Sequence, residues 1–176
     1  VNYDYATVKY NPDGQEMWTA RYDGPDSGTD KPSTVAVDPY GNVYVSGSSA
    51  DSRVIPFNYD YATVKYNSDG EEIWAARYNS TESTIDSVID MTIDPTGNIY
   101  VTGTSLYLDE KGSIHNCATI KYNSNGQKIW IAQHDTPGIQ ADYVNAIAID
   151  ASNNVYITGW IIQENTGADF FTVKYS

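Results

Sequence analysis

Apolar and polar positions alternate along this chain in short runs separated by turn residues, and no segment carries the 3.6-residue period of an amphipathic helix. The middle of the sequence shows the pattern most clearly. Tyr61–Tyr66 (YATVKY) and Glu72–Tyr78 (EIWAARY) predict two strands joined by the tight turn Asn67-Ser68-Asp69-Gly70. A long polar connection follows from Asn79 to Ile85. Val88–Ile93 and Ile99–Thr102 then predict a second pair around Asp94-Pro95-Thr96-Gly97-Asn98. Trp74 and Ala76 share one face of their strand while Ile73 and Ala75 share the other. Ile89, Met91 and Ile93 likewise line one face of theirs. Apolar or small residues on both faces predict sheets covered on both sides.

The pattern recurs. Trp18, Trp74 and Trp130 are 56 residues apart, and so are Gly14, Gly70 and Gly126; Asp30, Asp86 and Asp142; Asp38, Asp94 and Asp150; and Gly47, Gly103 and Gly159. Five landmarks in one register establish a repeat of four short strands, about the size of a propeller blade. The fold class is therefore all-β, with β-propeller blades: three four-stranded antiparallel repeats of 56 residues plus one extra strand. The repeats span approximately 4–59, 60–115 and 116–168, and the final strand spans 169–176. They form one repeat region. A propeller closes with about four to eight blades, so three make an incomplete ring. Its open edges and faces require cover, from further blades of a longer parent chain or from self-association as a ring or filament. The start at Val1, with no signal-peptide pattern, reads as a processed or excised piece of a longer product.

Composition narrows the functions. Lys+Arg number 10 against Asp+Glu 23, a net charge of −13, which repels phosphate backbones and anionic lipid. Nucleic-acid partners are disfavoured, and no apolar run is long enough for a membrane-inserting helix. The single Cys117 excludes an internal disulfide and a CxxC metal site, and beside Ala118 and Thr119 it reads as a small core residue.

Most candidate site residues belong to the repeat. Asp30, Asp86 and Asp142 each stand eight residues before a turn aspartate, where their carboxylates would ring one mouth of an axial channel. Such a ring suits a hard cation such as calcium. A loop aspartate accepting local backbone N–H groups explains the same residues. Asp38, Asp94 and Asp150 read as turn formers, and Asp109-Glu110-Lys111-Gly112 as a solvated loop. The three tryptophans read as packing anchors before sugar platforms, and Lys9, Lys65, Lys121 and Lys174 as strand lysines that pair with a carboxylate or snorkel to the edge. Chemistry needs one asymmetric constellation, so residues present three or four times make poor catalysts. Trp160 is different. It stands where the earlier copies have Ser48 and Thr104, and with Phe170 and Phe171 it forms a candidate contact surface.

The core Asp94-Pro95-Thr96-Gly97-Asn98-Ile99-Tyr100-Val101-Thr102-Gly103, preceded by Asp-Tyr-Ala-Thr-Val-Lys-Tyr-Asn and Trp, resembles the bacterial SBBP β-propeller repeat family. The core returns as Asp38–Gly47 and, with Asn153 and Ile157 as departures, as Asp150–Gly159. The resemblance implies a secreted or surface-attached protein and brings no catalytic residues with it. The function expected is a non-catalytic extracellular or cell-surface module for binding a glycan or a protein, or for surface assembly, with no cofactor unless calcium. The alternative is a carbohydrate-active propeller hydrolase or lyase.

Overall fold

The structure, a computed structural model, describes residues 2–51, 58–80, 85–109, 112–134, 136, 141–163 and 167–175. The solvated loop read at Asp109–Gly112 and the connection read at 79–85 have their centres, 110–111 and 81–84, outside the described residues.

Among the described residues thirteen strands follow one another: β1 (Tyr5–Tyr10), β2 (Glu16–Tyr22), β3 (Asp30–Val37), β4 (Val43–Asp51), β5 (Asn58–Tyr66), β6 (Glu72–Tyr78), β7 (Ile85–Ile93), β8 (Ile99–Asp109), β9 (Gly112–Tyr122), β10 (Lys128–His134), β11 (Ala141–Ile149), β12 (Val155–Gln163) and β13 (Gly167–Tyr175). Apart from one 3-10 turn at Pro25–Ser27, no helix occurs among the described residues. Neighbours pair antiparallel in the order β3-β4-β5-β6, then β7-β8-β9-β10, then β11-β12-β13, while β1 and β2 pair as a separate two-stranded sheet. Single parallel bridges, Tyr59↔Ile85 and His115↔Ala141, tie one group to the next. These groups are propeller blades, and β3, β7 and β11 pack beside one another. β1–β2 corresponds to β5–β6 and β9–β10, the outer half of a blade.

Four strands of one sequence repeat do not make one blade. Each of the first two full blades takes its first two strands from one copy and its last two from the next. The strands also run longer than their apolar cores: β5 begins at Asn58 and β8 reaches Asp109, because cross-strand backbone pairing continues past the apolar positions.

The core lies between the blades. Tyr5, Tyr22, Val43, Val45, Ala62, Val64 and Tyr66 seal β1–β2 onto the first blade. Tyr44, Tyr61, Tyr78, Met91, Val101 and Ile120 are among those joining the first to the second. Tyr100, Cys117, Val144, Ile147, Val155 and Ile157 join the second to the third. Both faces of a middle blade are thus apolar, as the alternation requires.

Candidate binding surface

The repeated residues hold the blades together. Asp38 Oδ1 accepts the backbone N–H groups of Tyr40 and Asn42, while Oδ2 accepts the Asn42 side chain at 2.7 Å and the Tyr44 hydroxyl at 3.2 Å. Asp94 and Asp150 repeat this with Asn98 and Tyr100, and with Asn154 and Tyr156. Burial works against ionisation of Asp38 and Asp94, but these donors prevail and hold both carboxyls below the usual range. The Asn154 side chain and N–H lead in bringing Asp150 down to about 2. Gly41 and Gly97 occupy the left-handed region at φ +82°, and Asn153 takes their place at φ +62°. The last motif glycine has a different reason. A Cβ on Gly47, Gly103 or Gly159 would stand about 2 Å from the carbonyl oxygen of Lys31, Ser87 or Tyr143, beside the bulge in the first strand of each blade.

Trp18 and Trp74 anchor one blade to the next. Each indole N–H donates to a carbonyl in the following blade's outer turn, Ser68 at 3.0 Å and Ser124 at 3.1 Å. Each ring lies against the glycine of that turn, so that a Cβ on Gly70 or Gly126 would fall within 3 Å of it. Trp130 keeps the ring neighbours of the series, Tyr100 and Tyr175. The strand lysines reach the outer turns and the tyrosine rings. Lys9 and Lys65 donate to the same turn carbonyls, and Lys65, Lys121 and Lys174 lie over Tyr44, Tyr100 and Tyr156. The turn carbonyl and the tyrosine face both attract a cation.

Asp30, Asp86 and Asp142 are buried at the starts of the three adjacent strands β3, β7 and β11. Each Oδ2 accepts a backbone N–H six residues earlier: Gly24 at 2.6 Å, Ser80 at 2.9 Å and Thr136 at 2.8 Å. The carboxylate therefore anchors the connection to the blade. Oδ1 of Asp30 and of Asp142 has no hydrogen-bond partner. Among the described residues, the three acids whose ligand oxygens approach within 4.8 Å of one another are Asp4, Asp23 and Asp30, with Arg21 ion-paired to Asp4.

The third copy gathers what the repeat does not need. Lys31↔Ser48 and Ser87↔Thr104 are facing pairs in the first two blades; in the third the pair is Tyr143↔Trp160. Their rings stack at 4.2 Å, and His115, which stands where the previous copy has Tyr59, extends the stack at 4.8 Å from Tyr143. Burial lowers the His115 pKa, which keeps the imidazole neutral at neutral pH. His115 and Tyr143 line a groove of about 350 Å3 with Ile85, Ile89, Leu106 and the hydroxyl residues Ser87 and Thr104. Trp160 thus sits on the candidate surface together with its strand neighbour Phe170, a residue 88% exposed. Phe171 faces the opposite way, packed into the core and stacked on His134. His115 and Tyr143 were not among the expected site residues, although the signal that marks Trp160, departure from the repeat, marks both.

Another departure is structural. Cys117 and His134 replace the tyrosine pairs Tyr5–Tyr22 and Tyr61–Tyr78, and Phe171 replaces Ala62 and Ala118. A small residue on one side of the junction is matched by a large one on the other, within one apolar cluster. Burial, with Asp142 adding to it, pushes the Cys117 thiol up to about 12.

The SBBP beta-propeller repeat matches the chain three times, at residues 18–51, 73–106 and 129–164. An uncharacterized WD repeat-containing protein, L264, of Acanthamoeba polyphaga mimivirus is 26% identical over a 157-residue alignment covering 72% of this chain. The alignment takes in 11% of that relative, so the chain spans about a tenth of its length.

Proposed function

The chain belongs to the SBBP beta-propeller repeat family, and on that premise we propose that it is a non-catalytic binding module working outside the cell or at its surface. The observation that carries this reading is the convergence of non-repeated residues. His115, Tyr143 and Trp160 each depart from the repeat and cluster on one groove and the stack beside it. Repeated residues serve the architecture, so unrepeated ones in contact with one another answer to something else. The groove has apolar walls, an aromatic face and a few hydroxyls, which suits a flat amphipathic group: the face of a sugar ring or an aromatic side chain of a partner protein. A net charge of −13 favours a neutral or basic ligand.

Titration with soluble oligosaccharides and with aromatic, basic peptides separates the two ligand classes. Binding is expected to shift the His115 and Tyr143 ring resonances, and Tyr143→Ala is expected to weaken it about tenfold or more. Ligands from both panels leaving these resonances unmoved would refute the reading.

A further inference from the structure

At the root of the β1–β2 hairpin Tyr5 faces Tyr22, and the residues one step beyond them are both acids, Asp4 and Asp23. The first strand of the following blade, β3, begins close by at Asp30, whose backbone N–H donates to the Tyr3 carbonyl at 2.6 Å. One carboxylate oxygen from each of Asp4, Asp23 and Asp30 lies within 4.8 Å of the other two. Asp30 is 0% exposed. Its Oδ2 accepts the Gly24 N–H, and its buried Oδ1 has no hydrogen-bond partner. A buried carboxylate oxygen is costly to desolvate unless a donor or a cation answers it.

The other copies separate what the repeat requires from what this place adds. Asp30 recurs as Asp86 and Asp142, each bonded to a backbone N–H six residues earlier, so that bond is architectural. The place of Asp4 is taken by Asp60 and then Asn116, and that of Asp23 by Asn79 and then Asp135. All three acids coincide in the first copy alone. The basic residue beside them is also set differently. Arg77 bonds to Asp60 and to Ser49 and is mostly buried, whereas Arg21, at the same place one copy earlier, pairs with Asp4 with its side chain 72% exposed. An exposed pair of that kind is weak and readily exchanged. Three carboxylates against one arginine leave two negative charges, the complement of a divalent cation. Arg77, whose guanidinium comes close to Gly24, is itself paired with Asp60.

We infer that Asp4, Asp23 and Asp30 bind one divalent cation of the calcium class. Two oxygens on one calcium ion, each about 2.3–2.6 Å from it, stand at most about 5 Å apart, so all three carboxylates fit a single ion. The ligands come from three places on the backbone: the residue before β1, the residue after β2 and the first residue of β3. The ion would tie the root of the hairpin to the blade that follows and answer the free Oδ1 of Asp30. Ser27 Oγ, which donates to Asp23 Oδ2 at 3.2 Å, leaves the other oxygen of that carboxylate for the ion. The site is separate from the proposed ligand groove, whose walls come from the second and third blades.

Calorimetric titration of the chelator-treated chain with calcium chloride, in salt of about 0.15 M to screen the general attraction of its net charge, tests the inference. One ion per chain is expected, with a melting temperature that rises with calcium and falls back on chelation. Asp23→Asn is expected to weaken binding about tenfold or more, because affinity follows the number of charged ligands. Asp23 is exposed and Asn79 stands at its place in the second copy, so the variant is expected to melt without calcium no lower than the parent. Asp13→Asn, which removes an exposed acid of the first turn, is expected to bind as the parent does. Absence of saturable binding at millimolar calcium overturns the inference. So does Asp23→Asn binding as tightly as the parent, or Asp13→Asn weakening binding as much as Asp23→Asn.

Discussion

Each turn aspartate collects four or five donors, and that makes the acid limb of stability a residue-scale property. With Asp150 held at about 2 by Asn154 and its neighbours, against about 3.9 for an unfolded aspartate, the folded carboxyl is the stronger acid. The stability it contributes is fully present above about pH 4 and is lost as pH falls towards 2. Asp38 and Asp94 are lowered too and act in the same direction. Asp150→Asn is expected to be less stable than the parent at neutral pH, with the gap closing between about pH 4 and pH 2 in acid unfolding followed by circular dichroism. Cys117 and Phe171 make a second residue-scale case. Restoring the repeat's tyrosine alone, Cys117→Tyr, overfills the junction and is expected to destabilise by about 1–3 kcal/mol. Adding Phe171→Ala is expected to recover part of the loss, a favourable coupling that urea unfolding of the four-member cycle measures.

At the scale of elements, the turn glycines separate two demands that look identical in sequence. Gly14, Gly70 and Gly126 all have positive φ, but only the latter two lie against a tryptophan ring. Gly14→Ala is expected to destabilise by roughly 1–2 kcal/mol from backbone strain alone. Gly126→Ala adds displacement of Trp74 and is expected to exceed it by about 1 kcal/mol or more, measured side by side in urea. The four-strand repeat, its turns and the packing role of the tryptophans were legible in the sequence because each is a local or periodic demand. The grouping of strands into blades was not. Period fixes the spacing of strands but leaves open where a sheet begins, and that boundary depends on pairing across copies. The carbonyl partners of Lys9 and Lys65 were hidden for the same reason, since Ser68 and Ser124 belong to the following blade. Trp160 stood out by breaking the repeat; His115 and Tyr143 break it too, but their contact depends on the register of β11 against β9 and β12.

For the whole molecule, stability is distributed over junctions between consecutive blades, each contacting its neighbours, as in other repeat arrays. The second-to-third junction lacks the Tyr–Tyr pair of the others, so hydrogen exchange is expected to find the β11–β13 blade opening before the first two. The offset between sequence period and blade also bears on how such a gene changes length. A 56-residue period inserted in register donates its outer strand pair to the blade before it and its inner pair to the blade after it. The newcomer is thereby stitched into both neighbours, and the contacts at each seam are those the array already had. Unequal crossing-over can therefore lengthen or shorten the protein by whole periods without asking selection for a single new interface.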